Sequence, residues 1–144
     1  MTTLNGTFSG TIKSQSAITV PDQPGHDLSL AEITGTQKTS DPNWNNANIN
    51  YWGITDVIDG KGTQRGYFVN THTDGDTDCG TFEGKVSSAG GQFVVEGTYQ
   101  YTGGTGRYKG MTGAGTFQTR VTSPRTVEAT HQGTYQLAAA AAAG

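Results

Sequence analysis

One cysteine, Cys79, stands in the 144 residues, so no disulfide can form within the chain and the redox compartment is left open. Charge is scarce. Only 15% of residues carry it, too few for the charge-rich disordered class. The nine Lys and Arg are scattered, without the basic stripe of a nucleic-acid binder. Apolar residues make up 32%, and no run approaches the ~18 residues of a membrane-spanning helix. The N-terminal "MTTLNGTFSG" lacks a basic segment followed by an apolar one. As written, the chain therefore reads as cytoplasmic, or as secreted with its signal already removed. Asn5-Gly6-Thr7 fits a glycosylation sequon, which means little without a secretion signal. The three histidines, His26, His72 and His131, are far apart in sequence and form no zinc-ligand spacing. Neither a metal nor a cofactor is expected.

What the chain has in plenty is glycine, 22 residues, densest between Glu96 and Val121. A phosphate-cradling loop would need Gly-Lys-Ser/Thr or Gly-x-Gly-x-x-Gly at a strand-to-helix junction. Here Gly104-Thr105-Gly106-Arg107-Tyr108-Lys109 lacks the last glycine, and Met111 to Phe117 carries no helical apolar period. These glycines are read as structural.

Period-two alternation runs along the chain in place of helical stripes. Phe93, Val95, Gly97, Tyr99 and Tyr101 share one face; Val127, Ala129, His131, Gly133, Tyr135 and Leu137 share another, with polar neighbours between them. Gly-Thr-aromatic recurs at Gly6, Gly80, Gly97, Gly115 and Gly133, the last four copies 17, 18 and 18 residues apart. That interval matches one strand plus its connection, hence neighbouring strands of a meander. Strands are predicted at about 4–13, 27–38, 48–58, 64–73, 79–88, 92–102, 113–122 and 126–137. Asp59-Gly60, Asp74-Gly75 and Ala89-Gly90-Gly91 mark turns. Longer connections are expected at Ile18–Asp27 and Ser40–Ala47, at the barrel ends. The fold expected is all-β: a single eight-stranded antiparallel up-and-down, calycin-like barrel over residues 1–137, with an Ala-rich tail at 138–144 excluded from the fold.

The stretch Phe93 to Val121, through Gly103-Gly104-Thr105-Gly106-Arg107-Tyr108-Lys109-Gly110-Met111-Thr112-Gly113, resembles allene-oxide-cyclase-like and dirigent-like β-barrels. The segment from Asn50 to Val86 looks like that of related bacterial proteins, mostly of unknown function. The match spans about 30 residues, and the resemblance implies fold more firmly than activity. It implies a lumen, and a cyclase or isomerase among the activities to weigh.

Candidate site residues follow from the faces. His131 lies on the apolar face of the last strand; Gly66, Phe68, Asn70 and His72 share a face. Tyr51 and Trp52 sit on opposite faces of a strand that is apolar on both sides, which leaves its inward face open. A pocket of Tyr51, Asn70, His72 and Tyr99 around an apolar ligand is expected, with His131 as general acid or base. The competing reading of His131 is a hydrogen-bonded lumen residue. Trp44, Trp52, Tyr67 and Tyr108 are either ligand contacts or packing residues. Asp74, Asp76 and Asp78 resemble half a calcium loop, but Cys79 and Lys85 occupy the positions needing Gly and Glu, so a solvated hairpin tip is expected. Three functions are weighed: a lumen binder of a small apolar molecule, an isomerase or cyclase, and a structural oligomer (dimer or trimer) with a filled lumen.

Overall fold

A computed structural model of the chain describes residues 2–89 and 92–138. Eight strands follow in order: β1 (Thr2–Thr19), β2 (His26–Thr39), β3 (Asn48–Ile58), β4 (Lys61–Thr71), β5 (Thr77–Ala89), β6 (Gln92–Gly104), β7 (Thr112–Ser123) and β8 (Thr126–Gln136). Each pairs antiparallel with its sequence neighbour, and β1 pairs with β8, from Thr2 opposite Tyr135 to Thr11 opposite Thr126. The result is a closed up-and-down barrel. Closure removes the free edges that an open antiparallel sheet would expose.

The alternation predicted for β4, β6 and β8 is the alternation found. Phe68, Asn70, Val95, Tyr99, Tyr101, Val127, Ala129 and Tyr135 are buried. Leu137 is the exception: it follows the end of β8 and is exposed. On β3, Ile49, Tyr51 and Val57 are buried, which settles the strand's inward face, while Ile54 and Ile58 are exposed.

The recurring Gly-Thr-aromatic triplet has a packing reason. An eight-stranded lumen cannot hold a ring at every inward position. Antiparallel pairing of two Gly-x-aromatic triplets sets the glycine of each against the ring of the other. Gly97 faces Phe117 while Tyr99 faces Gly115, and Gly66 faces Phe82 while Phe68 faces Gly80. A Cβ at Gly80 would overlap the Phe68 ring, and one at Gly115 would overlap the Tyr99 hydroxyl. Glycine here makes room both for a ring and for the close approach of the paired strand's backbone.

The two ends of the barrel differ. At one end the connections 40–47, 72–76 and 105–111 fold inward as a plug. Trp44 is fully buried there, its ring 4.5 Å from that of Tyr135 and 5.2 Å from that of Tyr108. The glycine-rich connection turns through a single 3-10 turn, Gly106–Tyr108. Gly106 and Gly110 have φ of 56° and 78°, a region closed to most side chains. At the other end, Asp59 and Gly60 both have positive φ (53° and 80°), as a two-residue hairpin turn requires.

One expected connection is corrected. Ile18 and Asp27 are strand residues, Ile18 opposite Leu28 and Thr19 opposite Asp27, so the break between β1 and β2 is only 20–25. Hydrogen bonding between the two strands carried them well past the point where the apolar alternation of β1 fades. The turn proposed at Ala89-Gly90-Gly91 involves Gly90 and Gly91, which lie outside the described residues, as does the tail beyond Ala138.

Candidate functional site

Inward alternation on β1, β3, β4, β6 and β8 brings Phe8, Tyr51, Phe68, Asn70, Tyr99 and His131 to one cavity of about 60 Å³ in the lumen. Its walls are mainly aromatic. The cavity is lined by members of the large cluster of buried side chains that reaches into the plug; a small apolar cluster of Val57, Val86 and Val95 lies apart from it. Phe117 packs against both.

Of the residues singled out in the sequence, Tyr51, Asn70, Tyr99 and His131 line this cavity; His72 does not. His72 lies just past the end of β4, buried in the plug with its ring stacked 4.0 Å from that of Tyr108. Trp44 and Tyr108 are plug residues as well, whereas Tyr67 stands exposed on the outer wall. The three aspartates have different fates, because Asp74 and Asp76 lie in the connection before β5 and only Asp78 is in the strand. Asp74 lies 3.4 Å from Arg107, and Asp76 accepts the Arg107 main-chain N–H at 3.2 Å. Asp78 turns inward and is fully buried. The three carboxylates therefore do not converge, and the described residues bring no set of three or more metal-ligating side chains together.

Asp78 anchors a hydrogen-bonded chain that crosses the lumen. Its carboxylate accepts from His72 Nε2 at 2.5 Å and from Asn70 Nδ2 at 2.9 Å. The Asn70 carbonyl oxygen accepts from Gln37 Nε2 at 3.1 Å, and Gln37 Oε1 accepts from His131 Nε2 at 2.8 Å. Each link sets the next. Because a carboxylate offers acceptors, Asn70 must turn its NH₂ toward Asp78; Gln37 must then turn its NH₂ toward Asn70 and its oxygen toward His131. The His131 proton is thereby placed on Nε2, and Nδ1 keeps its lone pair. Nδ1 bonds to no described residue.

The two histidines of this chain are driven in opposite directions. Burial alone lowers His131 to about 4, so it is neutral near pH 7. Burial also pushes His72 down, and is the largest single effect on it. The hydrogen bonds to Asp78 and to the Asn43 carbonyl, with the charges of Asp78 and Asp74, outweigh it and leave His72 raised. Both His72 nitrogens face oxygen acceptors, Nδ1 at 2.8 Å from the Asn43 carbonyl, which agrees with a protonated ring.

Tyr99 closes the site. Burial raises its phenol to about 12; the neighbouring Tyr101 hydroxyl lowers it and the Asp78 charge raises it. The two hydroxyls are close enough to influence each other but not aligned as a hydrogen bond, so the buried Tyr99 hydroxyl has no well-formed partner among the described residues; its ring lies 6.1 Å from that of His131. The site thus presents an unpaired hydroxyl near an imidazole with an unpaired acceptor, inside an aromatic wall.

Sequence reading missed Gln37 and Asp78. Gln37 was legible in principle, two residues after Gly35 on the inward face of β2; Asp78 was hidden by the acidic run that precedes it. No family model and no curated protein matches the chain.

Proposed function

We propose that this barrel is a binding module for a small, largely apolar molecule carrying one polar group, held in the lumen between Tyr99 and His131. The observation that carries the reading is the buried, unpartnered Tyr99 hydroxyl at the cavity wall. Leaving such a group unpaired costs about 1–3 kcal/mol, which a ligand oxygen would offset. His131 Nδ1 supports the same reading as an acceptor for a ligand donor. A pKa of about 4 makes His131 a weak base near neutrality and supports hydrogen bonding over proton transfer. Nothing in the site favours a cyclase or isomerase over simple binding.

Size bounds the ligand. A cavity of about 60 Å³ is well below the ~150 Å³ that holds a benzene ring, so a molecule of only a few heavy atoms fits as the rings stand. A larger ligand would have to displace Phe82 or Phe117, the partly buried rings of the wall. The same volume favours a second reading, a structural barrel filled by its own side chains, because ligand pockets usually reach ~300 Å³ or more.

One experiment separates the two. Native mass spectrometry, followed by denaturing extraction and analysis for small molecules, is run on the wild type, Tyr99→Phe and His131→Ala. A bound molecule in the wild type that is weakened or lost in both variants is the expected result. A ligand-free wild type, with Tyr99→Phe more stable by about 1–3 kcal/mol, would instead establish the filled barrel.

A further inference from the structure

The barrel closes through β1 and β8, yet those two strands part early. Their ladder ends at Thr11 opposite Thr126, and a last bond runs from the Ile12 N–H to the Arg125 carbonyl at 2.8 Å. At Lys13 the register of β1 slips, and the strand continues to Thr19 paired, among the described residues, on one side only, with β2. Residues 13–19 are all exposed. The Val20 N–H donates to the His26 carbonyl at 2.9 Å, which sets the phase of this ladder. Main-chain groups alternate in direction along a strand, so those of residues 14, 16 and 18 face β2 while those of Gln15, Ala17 and Thr19 face outward. The closed barrel thus keeps an open stretch of edge here.

That edge is bracketed by a bulge at Lys13 and by Pro21, but between them it carries none of the usual defences. Natural proteins blunt exposed edges with charge, proline or cover. Ser14-Gln15-Ser16-Ala17-Ile18-Thr19 has neither charge nor proline; Pro21 lies just beyond it. Lys13 stands before the segment, where the register slips, 3.7 Å from Glu32.

We infer that this edge is a self-association surface, on which a second copy of the chain pairs antiparallel about a two-fold axis at Ala17. A row of outward N–H and C=O groups is a ready template for a further extended backbone, which replaces their water. Two copies of this segment are uncharged, so they meet without repulsion. With the axis at Ala17, Gln15 stands opposite Thr19 of the second copy and Ala17 opposite its own counterpart. Every outward main-chain group of both segments is then used, in about six hydrogen bonds. Ser16 falls beside Ile18 of the second copy on the outer face, a small side chain next to a large one. Ile18 is 66% exposed and shares that face with Leu28, Leu30 and Ile54, so the apolar strip becomes continuous across the joined sheets. The contact is isologous and closes on itself, giving a dimer and not a filament.

The test is sedimentation velocity across a wide concentration range, with amide hydrogen exchange on the same samples. Ala17→Pro is the decisive variant. The Ala17 N–H faces away from β2, so proline in both copies removes the two central bonds of the dimer and none of the β1–β2 ladder. The expected result is a wild type that doubles in mass with concentration, slowing exchange at Gln15, Ala17 and Thr19, and an Ala17→Pro chain that stays monomeric. A wild type that remains monomeric throughout with freely exchanging edge amides overturns the inference. So does a dimer whose formation leaves those wild-type amides unprotected, or one that Ala17→Pro leaves intact.

Discussion

At the scale of single residues, the lumen is decided by which polar groups find partners. His131 is on the inward face that the alternation of β8 predicts, and its partner Gln37 fixes its proton on Nε2. Its pH dependence has a definite sign. The folded value of about 4 lies below the ordinary value of 6.5, so the unfolded chain binds this proton more readily. The stability contributed is complete above about pH 6.5 and is lost as pH falls from there through 4. The shift corresponds to about 3 kcal/mol at most. Urea unfolding at pH 7 and pH 4.5 should therefore show a larger acid-side loss in the wild type than in His131→Gln. Equal losses would mean that His131 is freely hydrated in the fold. The position of His131 was readable from alternation; its proton was not, because that depends on Asn70, Gln37 and Asp78 meeting from three other strands.

At the scale of elements, glycine placement does the work that large side chains do in other cores. Gly97 illustrates it: a Cβ there would overlap the Glu83 carbonyl and the Gly84 Cα, both main-chain atoms of the paired strand. Backbone cannot step aside as a side-chain tip can. Gly97→Ala should accordingly destabilise by about 1–3 kcal/mol, the usual cost of overpacking, measured by chemical denaturation. An unchanged midpoint would show that β5 and β6 separate there at little cost. The triplets themselves are visible in the sequence, and so is their interval. Their reciprocal pairing is not, since it depends on register. The extended β1 arm was misjudged for a related reason: residues 14–19 bury nothing, and only hydrogen bonding to β2 reveals them as a strand.

At the scale of the whole molecule, closure couples the two ends of the sequence. Thr2 through Thr11 are held by β8, and from Gly6 onward by β2 on the other side as well, with Leu4 and Phe8 buried. Opening that seam exposes the lumen, so hydrogen-bonded amides of this half of β1 should exchange only through global unfolding. Their exchange free energies should match the denaturant value, while the outward amides of Gln15, Ala17 and Thr19 exchange far faster in the monomer. A seam that exchanges well below the global free energy would show that β1 peels away as a separate unit.

The sequence by itself determined the strands, most of their inward faces and hence the barrel, because a two-residue period and turn glycines are local properties written along the chain. It also placed Tyr51, Asn70, Tyr99 and His131 as candidates for one pocket. Only the tertiary structure decided that His72 belongs to the plug, that Asp78 links it to the lumen, that Trp44 is sealed within the plug, and that a hydrogen-bonded chain ends on His131. Those outcomes rest on contacts between residues tens of positions apart, whose geometry exists only once the barrel has closed.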